Sequence, residues 1–302
     1  MAVSLNRPPQ LNSGQLREKA REVALSVLDI SYRNRIGHVG SALSISDILT
    51  ALYFTRLRIN RKTLDHPERD RFILSKGHAA AALYAALYHR GILDKREFDS
   101  FGCDGGLCEH PEIKDPGVEM TAGSLGHGLA FGAGIALGLR KKYAVSGIRY
   151  TVSNPKNIRN TEYRTRNTFP HVFVLISDGE CGEGSVWEAA LFASRMGLDN
   201  LTAILDYNGW QCFGRVKDIT PLEPVGDKWR SFGWDAVEVN GHDTTALAGV
   251  FRSPNLSGKP RIIIARTVSG KGVPAIENQL IGHYKVFTEA EYLTGRQELL
   301  SH

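Results

Sequence analysis

Long apolar runs are missing from this sequence. No stretch of hydrophobic residues approaches the roughly 18 to 20 residues that a membrane-spanning helix needs. The first residues, Met1 to Asn12 with Pro8 and Pro9, contain no apolar core of the kind found in secretory signal peptides. These absences argue against a membrane protein and against a secreted one, so we expect a cytoplasmic protein.

Cysteine is scarce as well, with four residues in 302. None of the four, Cys103, Cys108, Cys181 and Cys212, belongs to a CxxC pair, which argues against a structural zinc site. The low count also favours a reducing compartment over an oxidising one. The alternative for the loop around Cys103 and Cys108 is a metal site formed with His110.

A large excess of charge of one sign is also missing. The chain has 37 lysines and arginines and 32 aspartates and glutamates, a formal net charge of +5. Its 42% hydrophobic and 23% charged residues are typical of an ordinary globular protein. A chain of this length can bury one large core or two modest ones. We expect one domain over residues 1–302, with neither a nucleic acid nor a membrane as partner.

Two continuous apolar runs of strand length flank a helical pattern between Val172 and Trp210. This order predicts a strand–helix–strand unit whose strands are buried on both faces of a parallel sheet, and hence an α/β fold. A hard oxygen ligand follows each strand, Asp178 after the first and Asn208 30 residues later. Ligands of open α/β sheets bind at the carboxyl ends of the strands. A carboxylate and an amide oxygen beside glycines at that edge suit Mg2+ or Ca2+ bridging to a diphosphate.

The sequence around these two residues resembles a known family. Asp178-Gly179-Glu180, the Gly-Glu-Gly element that follows and Asn208 after a fixed interval are similar to the thiamine diphosphate signature of transketolases. The alternative is an ordinary strand–helix–strand unit with Asp178 and Asn208 in turns. The resemblance implies a thiamine diphosphate-binding fold, with a parallel sheet flanked by helices, and thiamine diphosphate with Mg2+ (or Ca2+) as cofactors. It also implies that Asp178, Asn208 and the backbone carbonyl of Trp210 hold the metal.

Four histidines match positions of the same family. His78 follows a predicted short strand and precedes an alanine-rich helix, where the helix dipole and free N–H groups favour an anion. The resemblance implies that His78 contacts the cofactor diphosphate, that His38 lines the channel to the cofactor and that His110 binds substrate hydroxyls. It implies that His283 reaches the diphosphate and a substrate oxygen, and these four are the predicted catalytic residues. The alternative for His38 and His78 is an ordinary turn or capping histidine.

A glycine-rich stretch from Gly123 to Gly128 opens a helix of small residues. It lacks the preceding strand that a dinucleotide-binding fingerprint needs. The resemblance instead places its end in the cofactor site, whose predicted residues are His78, Gly126, His127, Gly128, Asp178, Gly179, Glu180, Asn208 and His283. His127 could face either the substrate or a partner. The resemblance also gives Glu183 and Glu188 a role in linking the two cofactor sites of a dimer, and the alternative is that both are surface glutamates.

Serines precede two helical patterns near the N-terminus. Ser13 is the predicted N-cap of a helix that runs to about Arg33, and Ser44 or Ser46 is the predicted N-cap of the next helix. The apolar residues of the first helix, from Leu16 to Leu28, lie on one stripe, as in an amphipathic helix.

Residues 146–170 contain asparagine, arginine and threonine but almost no apolar periodicity. Because related chains need only a short link here, the segment is predicted to be an inserted basic surface loop. Between Lys156 and Arg166, four basic residues stand against one acidic residue, Glu162. The alternative interpretation is a docking surface for an acidic partner, since clustered positive charge accelerates encounter with acidic surfaces.

The resemblance extends over nearly the whole chain but covers only the diphosphate-binding half of a transketolase. The family activates the cofactor with a glutamate of a pyrimidine-binding domain, and residues 1–302 contain no counterpart of that domain. The resemblance therefore implies the N-terminal subunit of a split transketolase, inactive alone. Its expected partner is a C-terminal pyrimidine-binding subunit, in an α2β2 assembly.

The implied activity is thiamine diphosphate-dependent two-carbon (ketol) transfer from a ketose phosphate. One alternative keeps the cofactor and changes the acceptor, so that a dehydrogenase-like subunit passes a two-carbon acyl unit to a lipoyl or acyl carrier protein. A second alternative is a noncatalytic regulatory or scaffold subunit that has kept the fold.

Overall fold

A computed structural model describes residues 11–145 and 170–301, together with Leu5 and Pro8. Apart from Pro170, the predicted surface loop 146–170 lies outside these residues, so its role stays a prediction. Within the described ranges, no helix combines the length and the apolar character needed to cross a membrane.

The described residues form ten α-helices and seven β-strands. The helices are α1 (Ser13–Arg33), α2 (Val39–Thr55), α3 (Ala80–His89), α4 (Lys95–Asp99), α5 (His127–Val145), α6 (Gly184–Arg195), α7 (Val216–Ile219), α8 (Val225–Ser231), α9 (Thr244–Arg252) and α10 (Glu289–Ser301). The strands are β1 (Arg71–Leu74), β2 (Val172–Ser177), β3 (Leu201–Tyr207), β4 (Trp210–Gln211), β5 (Gly214–Arg215), β6 (Asp235–Asn240) and β7 (Arg261–Arg266).

Five of the strands form a parallel sheet in the order β1-β2-β3-β7-β6, and β4 and β5 form a separate antiparallel hairpin. Strands β2 and β3 are neighbours, with Ser177 level with Asp206. The predicted α/β fold with a parallel sheet is confirmed. The strand–helix–strand unit between Val172 and Trp210 is present, with α6 as its crossover helix.

Each face of the sheet is covered by helices, because alternate strand residues point to opposite sides. Phe173 and Leu175 belong to one apolar core with α1, α2, α3, α9 and α10, whereas Val174 and Ile176 belong to a second core with α5, α6 and α8. The central strands are therefore buried on both sides, as their continuous apolar sequences predict.

The starts of the first two helices differ from the prediction. Asn12 rather than Ser13 caps α1, although the helix ends at Arg33 as expected. Helix α2 begins at Val39, directly after His38, so Ser44 and Ser46 lie inside the helix and neither is its N-cap. His38 has a left-handed backbone (φ 60°), and its N–H donates to the carbonyl of His283 at 3.2 Å. A contact with a residue distant in the sequence thus fixes where α2 starts.

Because all five strands of the main sheet run in the same direction, their carboxyl ends meet at one edge. The segments that follow β1, β2 and β3 carry His78, Asp178 and Asn208 to that edge. His171 and the loop 253–258 lie at the opposite edge, where strands begin.

Candidate active site

Asp178 and the Asn208–Gly209 turn meet at the ends of β2 and β3. The Gly209 N–H donates to Oδ2 of Asp178 at 2.6 Å, and the Gly179 N–H donates to Oδ1 at 2.9 Å. Asp178 is fully buried and Asn208 nearly so. The structure therefore brings together the two side chains predicted to hold a metal.

Asp206, inside β3, fixes the orientation of the Asn208 amide. The amide Nδ2 donates to Oδ2 of Asp206 at 2.8 Å, while the Trp210 N–H donates to Oδ1 of Asn208 at 2.9 Å. Asp206 also accepts hydrogen bonds from Lys76 Nζ at 2.5 Å, from Ser44 Oγ at 2.8 Å and from the Thr267 hydroxyl. The contact with Asp206 fixes which end of the amide is the oxygen, and this oxygen keeps one lone pair for a cation besides the one that accepts from Trp210.

The charges of this corner suit a divalent cation. Burial first, and then the nearby Asp206 carboxylate, raise the pKa of Asp178 to about 7. The buried ammonium of Lys76 pairs with Asp206 rather than with Asp178. A cation beside Asp178 would stabilise its ionised form, because an opposite charge offsets the cost of removing a carboxylate from water.

The protein supplies only part of a metal coordination shell here. In the described ranges, no three or more His, Cys, Asp or Glu residues lie close enough together to hold a metal. Cys103, Cys108 and His110 therefore form no such group, and the Cys108 thiol contacts Glu112 instead at 3.3 Å. One carboxylate with amide and carbonyl oxygens suits Mg2+, which is commonly held by one or two carboxylates and substrate phosphates.

The four histidines predicted to be catalytic lie together at the same edge. The ring of His38 is 4.7 Å from that of His283, 5.4 Å from that of His78 and 6.3 Å from that of His110, measured between ring centroids. The rings of His78 and His283 are 5.4 Å apart. Residues that are far apart in the sequence therefore form one imidazole cluster.

The charge and the hydrogen-bonding groups of the histidine cluster suit an anion. Burial is the main cause that lowers the pKa of His38, His78 and His283, and the last falls to about 4. The positive charge of Lys76 lowers all three further. Among the described residues, Nδ1 of His38 is buried and has no hydrogen-bond partner. Neutral imidazoles beside a buried ammonium, with one ring nitrogen unpaired, fit an oxygen-rich anion such as a diphosphate.

The amino-acid sequence matches the family model described as "Transketolase, thiamine diphosphate binding domain" over residues 17–299. The chain belongs to the transketolase family. This confirms the resemblance found in the sequence, and the description of the family names thiamine diphosphate as the ligand of the domain.

Several transketolases are similar to this chain over most of its length. It is 36% identical over 268 residues to one of the subunits of the apulose-4-phosphate transketolase of Phocaeicola vulgatus, and the match covers 88% of this chain and 87% of that protein. It is 35% identical over 287 residues to a 6-deoxy-6-sulfo-D-fructose transketolase subunit of a Clostridium species, and the match covers 94% of this chain and 96% of that subunit. Human transketolase is 33% identical over 287 residues, covering 93% of this chain but 41% of the human protein.

Solved transketolase structures share the fold. The enzyme of Leishmania mexicana superposes with a TM-score of 0.80 at 26% identity, covering 94% of this chain and 41% of that one. The enzyme of Campylobacter jejuni superposes with a TM-score of 0.78 at 26% identity, and the match covers 96% of this chain and 43% of that enzyme. This transketolase-family chain thus spans less than half the length of these solved enzymes.

In this transketolase-family chain, Glu180 is saturated by donors of the protein itself. Its carboxylate accepts from Ser75 Oγ at 2.5 Å, from the Gly126 N–H at 2.8 Å and from the Ser177 N–H at 2.9 Å. A Cβ atom at Gly128 would lie 2.4 Å from the Cβ of Ser75. Glu180, Gly126 and Gly128 therefore hold the start of α5 tightly against the end of β1.

Other predicted residues lie apart from the histidine cluster or on the surface. His127 is exposed and lines an open depression of about 580 Å³ with Ser124 and Phe131. Glu183 and Glu188 are exposed in the single chain, which fits both a surface position and a contact between subunits. Gly179 lies beside Asp178, and the nearest atom to an added Cβ within the described part of the chain is Cγ of Gln211 at 3.4 Å.

Trp210, whose carbonyl was the third predicted metal ligand, begins the β4–β5 hairpin. Its indole Nε1 donates to Oδ1 of Asn278 at 3.0 Å, and the guanidinium of Arg215 lies 3.8 Å from the ring centroid. These contacts position the residue next to Asn208. Sequence reasoning missed Lys76 and Asp206, although a charged residue inside an apolar strand and another beside His78 were available signals.

Proposed function

We propose that this chain is the diphosphate-binding subunit of a two-chain transketolase that transfers a two-carbon ketol unit from a ketose phosphate. The observation that carries the proposal is the convergence of the histidine cluster and the Asp178–Asn208 corner at one edge of the sheet. An anion site and a cation site side by side suit magnesium diphosphate.

Asp178, Asn208 and the carbonyl of Trp210 would hold Mg2+ in this proposal. His78, with Lys76 behind it, would face the diphosphate. When bound, thiamine diphosphate supplies the electron sink for breaking the carbon–carbon bond beside a ketose carbonyl. The chain's contribution is to bind and orient the cofactor and to exclude water.

His38, His110 and His283 would act on the substrate. Their side chains lie in the same cluster as His78, and an imidazole ring can form hydrogen bonds through both of its nitrogens and can take up a proton as a base. We propose that His110 binds substrate hydroxyls and that His38 and His283 move protons at the reacting oxygens. The relatives named for apulose-4-phosphate and for 6-deoxy-6-sulfo-D-fructose support a ketose with an anionic group as donor.

A second chain is part of the proposal. Two relatives that match almost the whole chain are named as subunits, whereas human transketolase is more than twice as long as the matched part. We propose that the partner is a C-terminal pyrimidine-binding subunit, with the cofactor enclosed between the two chains.

Two copies of this heterodimer would form the α2β2 assembly. The outer face of α5 and α6 exposes Phe131, Leu191 and Phe192. On the same α5 helix, a Cβ at Gly134 or at Gly138 would meet no atom of the described residues within 4 Å. Glycine inside a helix costs about 0.5–1 kcal/mol relative to alanine, so close approach of another backbone would account for these two residues.

Reconstitution tests the proposal. The purified chain, given thiamine diphosphate, Mg2+, a ketose phosphate and an aldose acceptor, should turn over negligibly, and turnover should appear on mixing with the pyrimidine-binding subunit. Sedimentation velocity should then give the mass of two copies of each chain. Robust turnover by the chain alone would refute the two-chain proposal.

The same experiment separates the alternatives. Capture of the two-carbon unit by a carrier protein rather than by an aldose would indicate a dehydrogenase-like subunit. Full activity of Asp178→Ala in the reconstituted complex would indicate a noncatalytic subunit. No contact of the described residues favours either alternative over ketol transfer.

A further inference from the structure

The β4–β5 hairpin projects an aromatic side chain from the protein. Phe213 lies at the turn between β4 and β5, and 83% of it is exposed. A phenylalanine exposed to this degree contributes little to the stability of the chain that carries it, because its hydrophobic surface stays in water.

The hairpin is held firmly in its exposed position. The guanidinium of Arg215 stacks on the Trp210 ring, and Arg215 and Trp210 both donate to Oδ1 of Asn278 at 2.9 and 3.0 Å. The Tyr284 hydroxyl donates to the carbonyl of Cys212 at 2.8 Å. Phe213 is therefore presented by a braced turn rather than by a loose loop, which lowers the entropy cost of binding.

Further apolar side chains lie around the hairpin. Tyr284 is 54% exposed and bonds to the hairpin, and the exposed Ile219 approaches it at Gly214. Two exposed neighbours of Tyr284 in the sequence extend the group, which we call the Phe213 surface and which consists of Phe213, Ile219, Ile281, Tyr284 and Val286. Contiguous exposed apolar groups of this kind mark interaction sites.

The Phe213 surface borders the histidine cluster. The ring of Tyr284 lies 4.9 Å from that of His283, which in turn is 4.7 Å from that of His38. His38 and His283 are only partly buried in this chain, so the cluster is open on this side. A protein that closes the cluster and excludes water from it must therefore pass over Tyr284 and the hairpin.

We propose that the Phe213 surface is the docking site of the pyrimidine-binding partner subunit, with Phe213 inserted into an apolar pocket of that subunit. This inference rests on the proposed two-chain function and adds the surface through which the chains meet. The occupant is the partner subunit rather than a second copy, because only the partner has to enclose the histidine cluster. The exposed α5–α6 face, which belongs to the opposite core, is left for contact between copies.

The test compares two exposed apolar residues at opposite edges of the sheet. Phe213→Ser removes the centre of the proposed docking site, whereas Leu256→Ser removes a side chain that is 74% exposed in the loop before β7, far from the cluster. Binding of each full-length variant to the pyrimidine-binding subunit is measured by isothermal titration calorimetry with thiamine diphosphate and Mg2+ present. Truncating a central aromatic anchor typically costs 2 kcal/mol or more, so we expect Phe213→Ser to raise Kd about thirtyfold and Leu256→Ser to leave it within about twofold.

Three outcomes overturn the inference. Equal Kd values for Phe213→Ser and the wild type would place the partner's docking site elsewhere. Normal ketol transfer by Phe213→Ser together with the pyrimidine-binding subunit would in that case still support the proposed function. Lower turnover of Phe213→Ser at saturating partner concentration would assign the side chain to the active site rather than to docking. Weaker self-association of the isolated variant in sedimentation equilibrium would make the surface a contact between copies.

Discussion

Single residues set the charge balance of the site. Asp178 and Asp206 are both buried, and Lys76 is the buried cation that pairs with Asp206. Burial and the charge of Lys76 act in opposite directions on the pKa of Asp206, and the net shift is downward, whereas the pKa of Asp178 is raised. The two carboxylates are therefore distinct, one paired within the chain and one suited to an incoming cation.

Asp178→Asn should weaken Mg2+-dependent binding of thiamine diphosphate to the two-chain complex. Changes in the residues that merely orient metal ligands cost about 10–100-fold in affinity, so removal of the carboxylate itself should cost about a hundredfold or more. The variant should also lose about 1–3 kcal/mol of stability, because the N–H groups of Gly179 and Gly209 donate to the two carboxylate oxygens and the asparagine amide can accept only one of these hydrogen bonds. Calorimetric titration at several Mg2+ concentrations measures the change in affinity.

Asp227→Asn is the matched control for this substitution. Asp227 is an exposed aspartate of α8 that pairs with Arg230 on the surface. The Asp227→Asn variant should bind thiamine diphosphate with the affinity of the wild type. Equal affinities for Asp178→Asn and Asp227→Asn would exclude Asp178 from the metal site.

The sequence predicted which residues meet at one edge of the sheet better than it predicted their surroundings. The shared location of Asp178, Asn208 and the four histidines was predictable because short motifs place them directly after strands or in glycine turns. Lys76 and Asp206 were missed because their local signals, a charge inside an apolar strand and a charge near His78, do not show that the two residues pair in three dimensions. His127 shares a motif with Gly126 and Gly128, yet its side chain is exposed, since one helix start presents residues in different directions.

Among the helices, α5 combines two kinds of glycine. A Cβ at Gly128 would lie 2.4 Å from the Cβ of Ser75, whereas a Cβ at Gly134 would meet none of the residues that the structure describes within 4 Å. Gly128 allows α5 to approach the end of β1. Gly134 makes no comparable close approach to a described residue.

Gly128→Ala should therefore destabilise the isolated chain by about 1–3 kcal/mol, the usual cost of overpacking. Gly134→Ala should stabilise it by about 0.5–1 kcal/mol, the helix propensity gained on replacing glycine. Urea unfolding of both variants measures the free energy of unfolding. Changes of the same sign would show that the packing of α5 on Ser75 is not tight.

Element types were predictable, and some boundaries were not. The apolar runs of β2 and β3 identify buried parallel strands because only such strands tolerate apolar residues on both faces. The predicted start of α2 was wrong because the helix begins directly after His38. This residue has a left-handed backbone, and its N–H donates to the carbonyl of His283. Serine is a preferred N-cap residue, but the hydroxyl of Ser44 donates to Asp206 instead.

At the scale of the whole molecule, buried histidines make stability depend on pH. Burial, with the charge of Arg56 as the next cause, lowers the pKa of His171 to about 3. An unfolded histidine titrates near 6.5. The folded chain therefore favours the neutral ring, and the stability that this residue contributes is present above about pH 6.5 and is lost as the pH falls toward 3.

His171→Gln should reduce this pH dependence. Glutamine cannot take up a proton, and its amide can still bond to Thr202, which contacts the His171 ring at 2.9 Å in the wild type. Between pH 7 and pH 5 the wild type should lose about 1–2 kcal/mol more than the variant. His38, His78 and His283 contribute in the same direction, so a smaller slope is expected rather than none. Urea unfolding at both pH values measures the difference, and identical slopes would contradict it.

The separation of the two sheet edges has a practical consequence. Every predicted metal and diphosphate ligand lies beyond the carboxyl ends of the strands, whereas the loop 253–258 joins α9 to the beginning of β7 on the far side. A short peptide tag or a genetically encoded reporter inserted next to the exposed Leu256 would therefore leave coenzyme loading undisturbed. Such an insertion would allow the chain to be immobilised and the residence time of the partner subunit to be measured on single molecules.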